Sequence, residues 1–246
     1  MRITGTTAFV TGASGGIGQC LVTALLRRGV RRVYVADLPG KEFDDADPRI
    51  APIILDITDE QSVAHAAASA PDVEILINNA GVNLRAPFIS APSIASARRE
   101  IETNYLGTLA MCRAFAPILA TGRNNSGSAI VNVASILGKV TLPNLGSYCA
   151  SKAALLRLSE GVRAELAAQG TLVIVVLPWA VDTIMSGPFT GDKTAPAEVA
   201  ERVMDAIVAG DEEVLLHSYS RELERRLRAD PKQVEKELAA TFRSAP

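Results

Sequence analysis

Only three of the 246 residues are cysteine and only two are histidine. Cys20, Cys112 and Cys149 show no short metal-ligand spacing, and an odd number cannot all pair with one another. A disulfide framework is disfavoured, a reducing compartment is expected, and no metal site is expected. Aromatic residues make up 4%, with a single tryptophan, leaving few stacking platforms for single-stranded nucleic acid. The formal net charge is −2, too small for an electrostatic footprint directed at nucleic acid or anionic lipid. The longest apolar stretch, Leu172 to Val181, is too short to span a bilayer and contains Pro178. The opening Met-Arg-Ile-Thr-Gly carries no apolar signal-peptide core. The expectation is a cytoplasmic protein with neither membrane nor nucleic-acid partner. What remains is an ordinary globular composition, 48% hydrophobic and 21% charged, in a chain long enough to bury a core without staples.

Short apolar runs alternate with helical patterns. The strands are expected at Thr6–Val10, Arg32–Asp37, Pro52–Ile57, Val73–Ile77, Ala129–Val133 and Leu172–Leu177, with a weaker seventh at Glu213–His217. Most are apolar at consecutive positions, as in strands covered on both faces. Helices are expected over Ile17–Arg28, Asp59–Ser69, about 93–120, about 147–169 and Pro196–Ala209, with Gly29, Gly170 and Gly210 placed to close three of them. Thr58, with Gln61 three residues on, reads as a capping box. Alternating strands and helices with right-handed crossovers give the α/β class: a doubly wound parallel, Rossmann-like sheet in one domain over residues 1–246. Residues 183–196, rich in Gly, Pro, Ser and Thr, form a long loop and a candidate substrate lid. Residues 220–246 read as a charged helical extension, in which Asp230-Pro231 starts a helix. There Glu222/Arg226 and Glu224/Arg228 pair four apart, and Leu223/Leu227 and Val234/Leu238 form apolar stripes.

The first strand runs into Thr11-Gly12-Ala13-Ser14-Gly15-Gly16-Ile17-Gly18, and a helix follows at once. Glycines let the backbone approach a phosphate, and the helix start offers free N–H groups to it. Asp37 ends the second strand, where a carboxylate can accept hydrogen bonds from an adenosine ribose and repel a 2′-phosphate. No arginine follows it, so NAD is favoured over NADP. Asp56, at the end of the third strand, can touch an adenine amino group. Asn78-Asn79-Ala80-Gly81 ends the fourth, with amides to tie neighbouring strands and small residues to admit a cofactor.

Tyr148 and Lys152 lie four apart on one helical face. A tyrosine is a poor base at neutral pH, and a neighbouring ammonium is expected to lower its pKa. Tyr-x-x-x-Lys alone is commonly structural, so its weight comes from its company. Ser135 ends the fifth strand, facing the ligand crevice of such a sheet, and Asn104 sits in a helix where an amide is a mediocre former.

With TGASGGIG, LDIT at Asp56, NNAG, Asn104, Ser135 and YCASK in this order, the chain resembles the short-chain dehydrogenase/reductase family over about residues 6–183. The resemblance implies Tyr148 as general acid/base, Lys152 tuning it and holding the nicotinamide ribose, Ser135 binding the substrate oxygen, and Asn104 anchoring a water in a proton relay. It implies cofactor contacts at Gly12, Ser14, Gly15, Gly16, Ile17, Gly18, Asp37, Leu38, Asp56, Ile57, Asn79, Ala80, Gly81, Tyr148, Lys152, Pro178, Val181 and Thr183. Trp179 departs from the family's usual glycine after Pro178. The usual glycine-rich final segment is replaced by Glu213–His217 and the charged helices. That change bears on a tetramer built through the last strand, while the two long helices offer a dimer contact. A homodimer or homotetramer is expected.

Ile136, Leu137, Leu142, Leu145, Trp179, Ile184, Met185 and Phe189 are the candidate pocket residues, and their apolar character points to a hydrophobic secondary alcohol or ketone. Arg85 reads as a surface residue that would bind an acidic group if it faced inward. Cys149, beside Tyr148, reads as packing. An NADPH-dependent 3-oxoacyl or carbonyl reductase is the nearest rival. A non-catalytic NAD-sensing protein and an S-adenosylmethionine-dependent methyltransferase stand further off, since neither needs the Ser-Tyr-Lys set.

Overall fold

The computed structural model describes residues 1–41, 43, 47–121, 127–187 and 189–243. Pro188 of the candidate lid and residues 244–246 of the C-terminal extension lie outside the described residues. Seven strands form one parallel sheet: β1 (Thr7–Thr11), β2 (Arg32–Asp37), β3 (Ile50–Ile54), β4 (Ile75–Asn78), β5 (Ser128–Val133), β6 (Thr171–Leu177) and β7 (Glu213–Leu215). Their order is β3-β2-β1-β4-β5-β6-β7. The chain reverses direction between β1 and β4, and a crevice opens outside the carboxyl ends of these two strands.

Consecutive apolar residues alternate between two cores. Val10, Ile77, Val131 and Val176 face α1 (Gly16–Arg27) and α6 (Pro196–Ala209), where Leu21, Leu25, Val203 and Ile207 are fully buried. Phe9, Leu76, Ile130 and Val173 face the other side, against Val63 of α2 (Glu60–Ser69) and Met111, Phe115 and Leu119. Phe9 and Phe115 stack with ring centroids 4.8 Å apart. Each such buried side chain stabilises the fold by roughly 1.5–3 kcal/mol.

β3 departs from expectation. It runs Ile50–Ile54 instead of reaching Ile57, because it is an edge strand paired only with β2. Pro52 sits in it without cost to an inner ladder, and Ile54 is 69% exposed. Asp56 therefore lies beyond the strand, its carboxylate accepting from the backbone and hydroxyl of Thr58. That hydroxyl is thereby engaged, and α2 is capped by Asp59, which accepts from the Gln61 backbone N–H.

The single long helix expected at 93–120 is interrupted. α3 (Ala95–Ile101) passes through a π-helical turn over Glu102–Gly107 into α4 (Thr108–Leu119). α5 (Gly146–Leu166) ends in a short 3-10 turn closed by Gly170 at φ +73°. Within 183–196, Ile184–Ser186 form a 3-10 turn and Thr194 bridges back to Val181.

The C-terminal helices α7 (Ser218–Ala229) and α8 (Pro231–Arg243) dock through the expected stripe: Leu223, Val234 and Leu238 bury Ile136. Glu224 pairs with Arg228 at 3.0 Å and with Lys139 at 2.9 Å. The Glu222/Arg226 pairing does not form, since Glu222 takes Arg225 and Arg226 is captured by Glu237 of α8. No helix among the described residues is long and apolar enough to cross a membrane.

Candidate active site

A cleft of about 1670 Å³ opens along the carboxyl ends of the strands. At one end lies the glycine loop. Thr11, the polar last residue of β1, accepts from the backbone N–H groups of Asn79 and Ala80, both at 3.0 Å. The Asn79 amide donates back to the carbonyls of Thr11 and Gly12. These bonds stitch β1 to β4, as the paired asparagines suggest, and Asn78 likewise donates to Asn132 of β5. Gly12 adopts φ +61° and lies so close to Ala80 that a Cβ would fall 2.9 Å from its Cα. Gly18 is packed under the loop instead of lining the cleft, and a Cβ there would sit 2.2 Å from the Gly12 carbonyl oxygen.

α1 begins at Gly16 with no side-chain cap, so its first N–H groups face the cleft beside Ser14, Gly15 and Ile17. Asp37 accepts from the Ser14 backbone at 3.1 Å, the Ser14 hydroxyl at 2.6 Å and the Leu38 N–H at 2.9 Å. Asp56, Ile57, Ala80 and Gly81 continue the same wall. An uncapped helix start for phosphate, a fixed carboxylate for ribose and a wall free of bulky side chains fit a dinucleotide.

Midway along the cleft, α5 presents Tyr148 and Lys152 one turn apart, 8% and 5% exposed. Ser135, just past β5, accepts from the Leu137 N–H at 3.1 Å, donates to the Pro178 carbonyl at 3.3 Å and lies beside the Tyr148 phenol. The Lys152 ammonium donates to the Val133 carbonyl at 3.0 Å and lies 5.8 Å from the Tyr148 ring centroid. Burial pushes the phenol above its usual pKa of 10, with Ser135 opposing, and pulls Lys152 from 10.5 to about 8. The expected acidification of Tyr148 by Lys152 is not the balance found here. Desolvation is the main cause of the shift, only Ser135 opposes it, and the ammonium's short contact is a carbonyl.

Asn104 lies inside the π-helical turn, fully buried and behind the cleft wall. Its oxygen accepts from the Val82 N–H, and its nitrogen donates to the Val82 carbonyl and the Ser151 hydroxyl. Three hydrogen bonds thus hold the Asn104 amide within the protein. Sequence reasoning missed three further residues here. Ser151 bridges Asn104 to the Tyr148 carbonyl. Glu100, fully buried, accepts from the Leu84 N–H at 2.7 Å and the Ser147 hydroxyl at 2.5 Å. The one sequence signal is the spacing: Glu100 precedes Asn104 by four residues, as Ser147 precedes Ser151.

The far end is apolar. Leu137, Leu142, Leu145, Trp179, Ile184, Met185 and Phe189 line it. Ile136 does not, being turned under α7 and α8. Trp179 meets Phe189 edge-on at 5.8 Å and Tyr219 of α7 at 4.5 Å. Cys149 packs with Leu137 and Tyr148, as expected. Arg85 crosses the cleft rim to the Met185 carbonyl at 2.7 Å from a left-handed backbone, φ +54°. Pro178 accepts from the Ile136 N–H, and Val181 and Thr183 line the cleft, the latter 2.8 Å from where a Gly16 Cβ would stand.

The family model for short chain dehydrogenases matches residues 6–194. A short chain dehydrogenase (mpl6) of Monascus purpureus is 34% identical over 221 residues, covering 83% of this chain and 75% of that one. An NADP-dependent 3-hydroxy acid dehydrogenase of Schizosaccharomyces pombe is 30% identical over 239 residues, covering 87% and 91%. A crystal structure of a short chain dehydrogenase from Burkholderia cenocepacia J2315 in complex with NADP superposes with a TM-score of 0.92, at 43% identity over 100% of both chains. The seven-stranded parallel sheet, the glycine loop between β1 and α1, and these similarities agree: the chain is an oxidoreductase of the short-chain dehydrogenase/reductase family.

Proposed function

We propose that the protein interconverts a hydrophobic secondary alcohol and its ketone with a nicotinamide dinucleotide. The observation that carries this is the convergence of Ser135, Tyr148 and Lys152 on one stretch of the cleft, between the glycine loop and the apolar end. The dinucleotide, when bound, supplies the hydride acceptor or donor. Gly12, Ser14, Gly15, Gly16 and Ile17 would hold its pyrophosphate, and Asp37 and Leu38 its adenosine ribose. Asp56, Ile57, Asn79, Ala80 and Gly81 would flank the adenosine half, Gly18 acting through the packing of the loop. Pro178, Val181 and Thr183 would border the nicotinamide half.

Ser135 positions the substrate oxygen beside the Tyr148 hydroxyl. In reduction, Tyr148 gives its proton to the forming alkoxide; in oxidation its phenolate takes the alcohol proton. A phenol held neutral by burial is ready as the acid, and Lys152, still mostly charged at neutral pH, stabilises the phenolate left behind. Proton transfer by a positioned side chain contributes about 10²–10⁴-fold. Tyr148→Phe should therefore lose at least about a hundredfold in kcat while keeping its dinucleotide affinity. A variant with unaltered turnover would remove Tyr148 from the mechanism. The expected assembly is a homodimer or homotetramer, and the expected setting is cytoplasmic.

The fixed carboxylate of Asp37 supports NAD. Lys41, on the turn that follows it and lining the same cleft, favours the second reading, NADP, as does the NADP bound to the Burkholderia relative. Turnover with NADH and NADPH, before and after Asp37→Ala, separates them. A preference for NADH that collapses in the variant supports NAD, and an initial preference for NADPH overturns it.

A further inference from the structure

We infer that Glu100 is a positioning residue for Tyr148, forming with Ser147 the upper rung of a polar ladder whose lower rung is Asn104 with Ser151. The inference rests on the proposed role of Tyr148.

Glu100 and Asn104 are four apart, on one face of the helix that changes from α to π between them. Ser147 and Ser151 are four apart on α5. Each rung is a side-chain hydrogen bond, Glu100 to Ser147 at 2.5 Å and Asn104 to Ser151 at 2.9 Å. Each helix residue also grips the strap that leaves β4: Asn104 holds both backbone groups of Val82, and Glu100 holds the Leu84 N–H. The residues following Ser147 and Ser151 are Tyr148 and Lys152. Rotation of α5 about its axis, which would swing both out of the cleft, breaks both rungs.

A carboxylate at this spot needs a reason. Glu100 is fully buried, and none of its hydrogen bonds is to a cation. Burying an unpaired acid is costly unless dipoles replace water. Here the Leu84 N–H, the Ser147 hydroxyl and the first turn of α5 supply them, since a helix start favours negative charge. Charge-assisted bonds are shorter and stronger than neutral ones, so a carboxylate makes the stiffer rung. The Ser147 hydroxyl has two acceptors within reach, Glu100 at 2.5 Å and the Ala86 carbonyl at 3.2 Å.

That second acceptor sets the test. In Glu100→Gln the amide oxygen accepts from Leu84 and the amide nitrogen donates to Ser147, whose proton turns to Ala86. In Glu100→Met both partners lose their bond at unchanged side-chain length. Hydrogen–deuterium exchange of segments 82–86 and 146–152 needs no substrate. Kinetics with a secondary alcohol, and dinucleotide affinity from NADH fluorescence, complete the comparison. Glu100→Met should speed exchange in both segments at least tenfold and lower kcat at least tenfold, with KM and dinucleotide affinity within about threefold. Glu100→Gln should recover most of both losses. Should Glu100→Met fail to fold, Ser147→Ala removes the rung but keeps the Leu84 bond, and faster exchange at 146–152 with a lower kcat supports the ladder. Native exchange and native kcat in either variant overturn it, as does a Glu100→Gln loss equal to that of Glu100→Met. If the unaltered protein turns over no alcohol or ketone, the proposed reaction falls while the exchange experiment still decides the ladder.

Discussion

Replacing Lys152 with methionine keeps the stem of the side chain and deletes the ammonium. The structure indicates that the protein should become more stable and lose its activity. Lys152 is 5% exposed, and burial lowers its pKa from 10.5 to about 8. At about 1.4 kcal/mol per pKa unit, keeping the charge in the folded state costs on the order of 3 kcal/mol relative to the unfolded chain. Deleting the ammonium also removes the hydrogen bond to the Val133 carbonyl, which offsets about 1 kcal/mol. A net gain of about 2 kcal/mol near neutral pH remains, or roughly 4–8 °C in Tm for a chain of this size. The sign with pH follows from the folded pKa lying below the unfolded one. The native protein binds fewer protons than its unfolded chain between about pH 8 and 10.5, so its stability rises across that interval. The advantage of Lys152→Met should shrink over the same interval. Tyr148, its pKa raised by burial, stays neutral in the folded protein below about pH 10 and does not enter the comparison there. Thermal unfolding of both proteins from about pH 6.5 to 10.5 provides the measurement. A difference in Tm that stays constant across the range, or a variant less stable at neutral pH, would refute the reasoning.

Gly18→Ala places a Cβ 2.2 Å from the Gly12 carbonyl oxygen, which forces α1 away from the loop. It should cost about 1–3 kcal/mol of stability and weaken dinucleotide binding at least tenfold, read by urea unfolding and NADH fluorescence. Trp179→Ala removes the ring between Phe189 and Tyr219. It should lower stability by about 2–3 kcal/mol and reduce KM for substrates with a bulky group relative to small ones, measured with a graded series of alcohols.

The sheet and the glycine loop were legible because their signals are local. Consecutive Val, Ile and Leu residues mark strands covered on both faces, and a glycine run between strand and helix has few other uses. Ser135, Tyr148 and Lys152 were legible only as a set, through the topology that gathers strand ends at one edge. What escaped depends on distant neighbours. Arg226 abandons Glu222 because α8 folds back and offers Glu237. Ile136 faces away from the cleft because α7 and α8 cover it. Asp59 displaces Thr58 as the cap once the Thr58 hydroxyl turns to Asp56. How far burial shifts Tyr148 depends on the packing around it, which the sequence does not display. Nothing local in the sequence sets Glu100 apart from its acidic and basic neighbours; its burial comes from the packing of α5.

The widened turn at Glu102–Gly107 lets the helix carry an extra residue without turning its two flanks against one another. A π turn accommodates one residue more than an ordinary turn would. Deleting a single residue there would let the helix relax to regular winding while everything upstream kept close to its present phase relative to α4. Met111, Phe115 and the face carrying Glu100 would keep their places, and the loss would fall on Asn104, whose grip on Val82 and Ser151 is set within the wider turn.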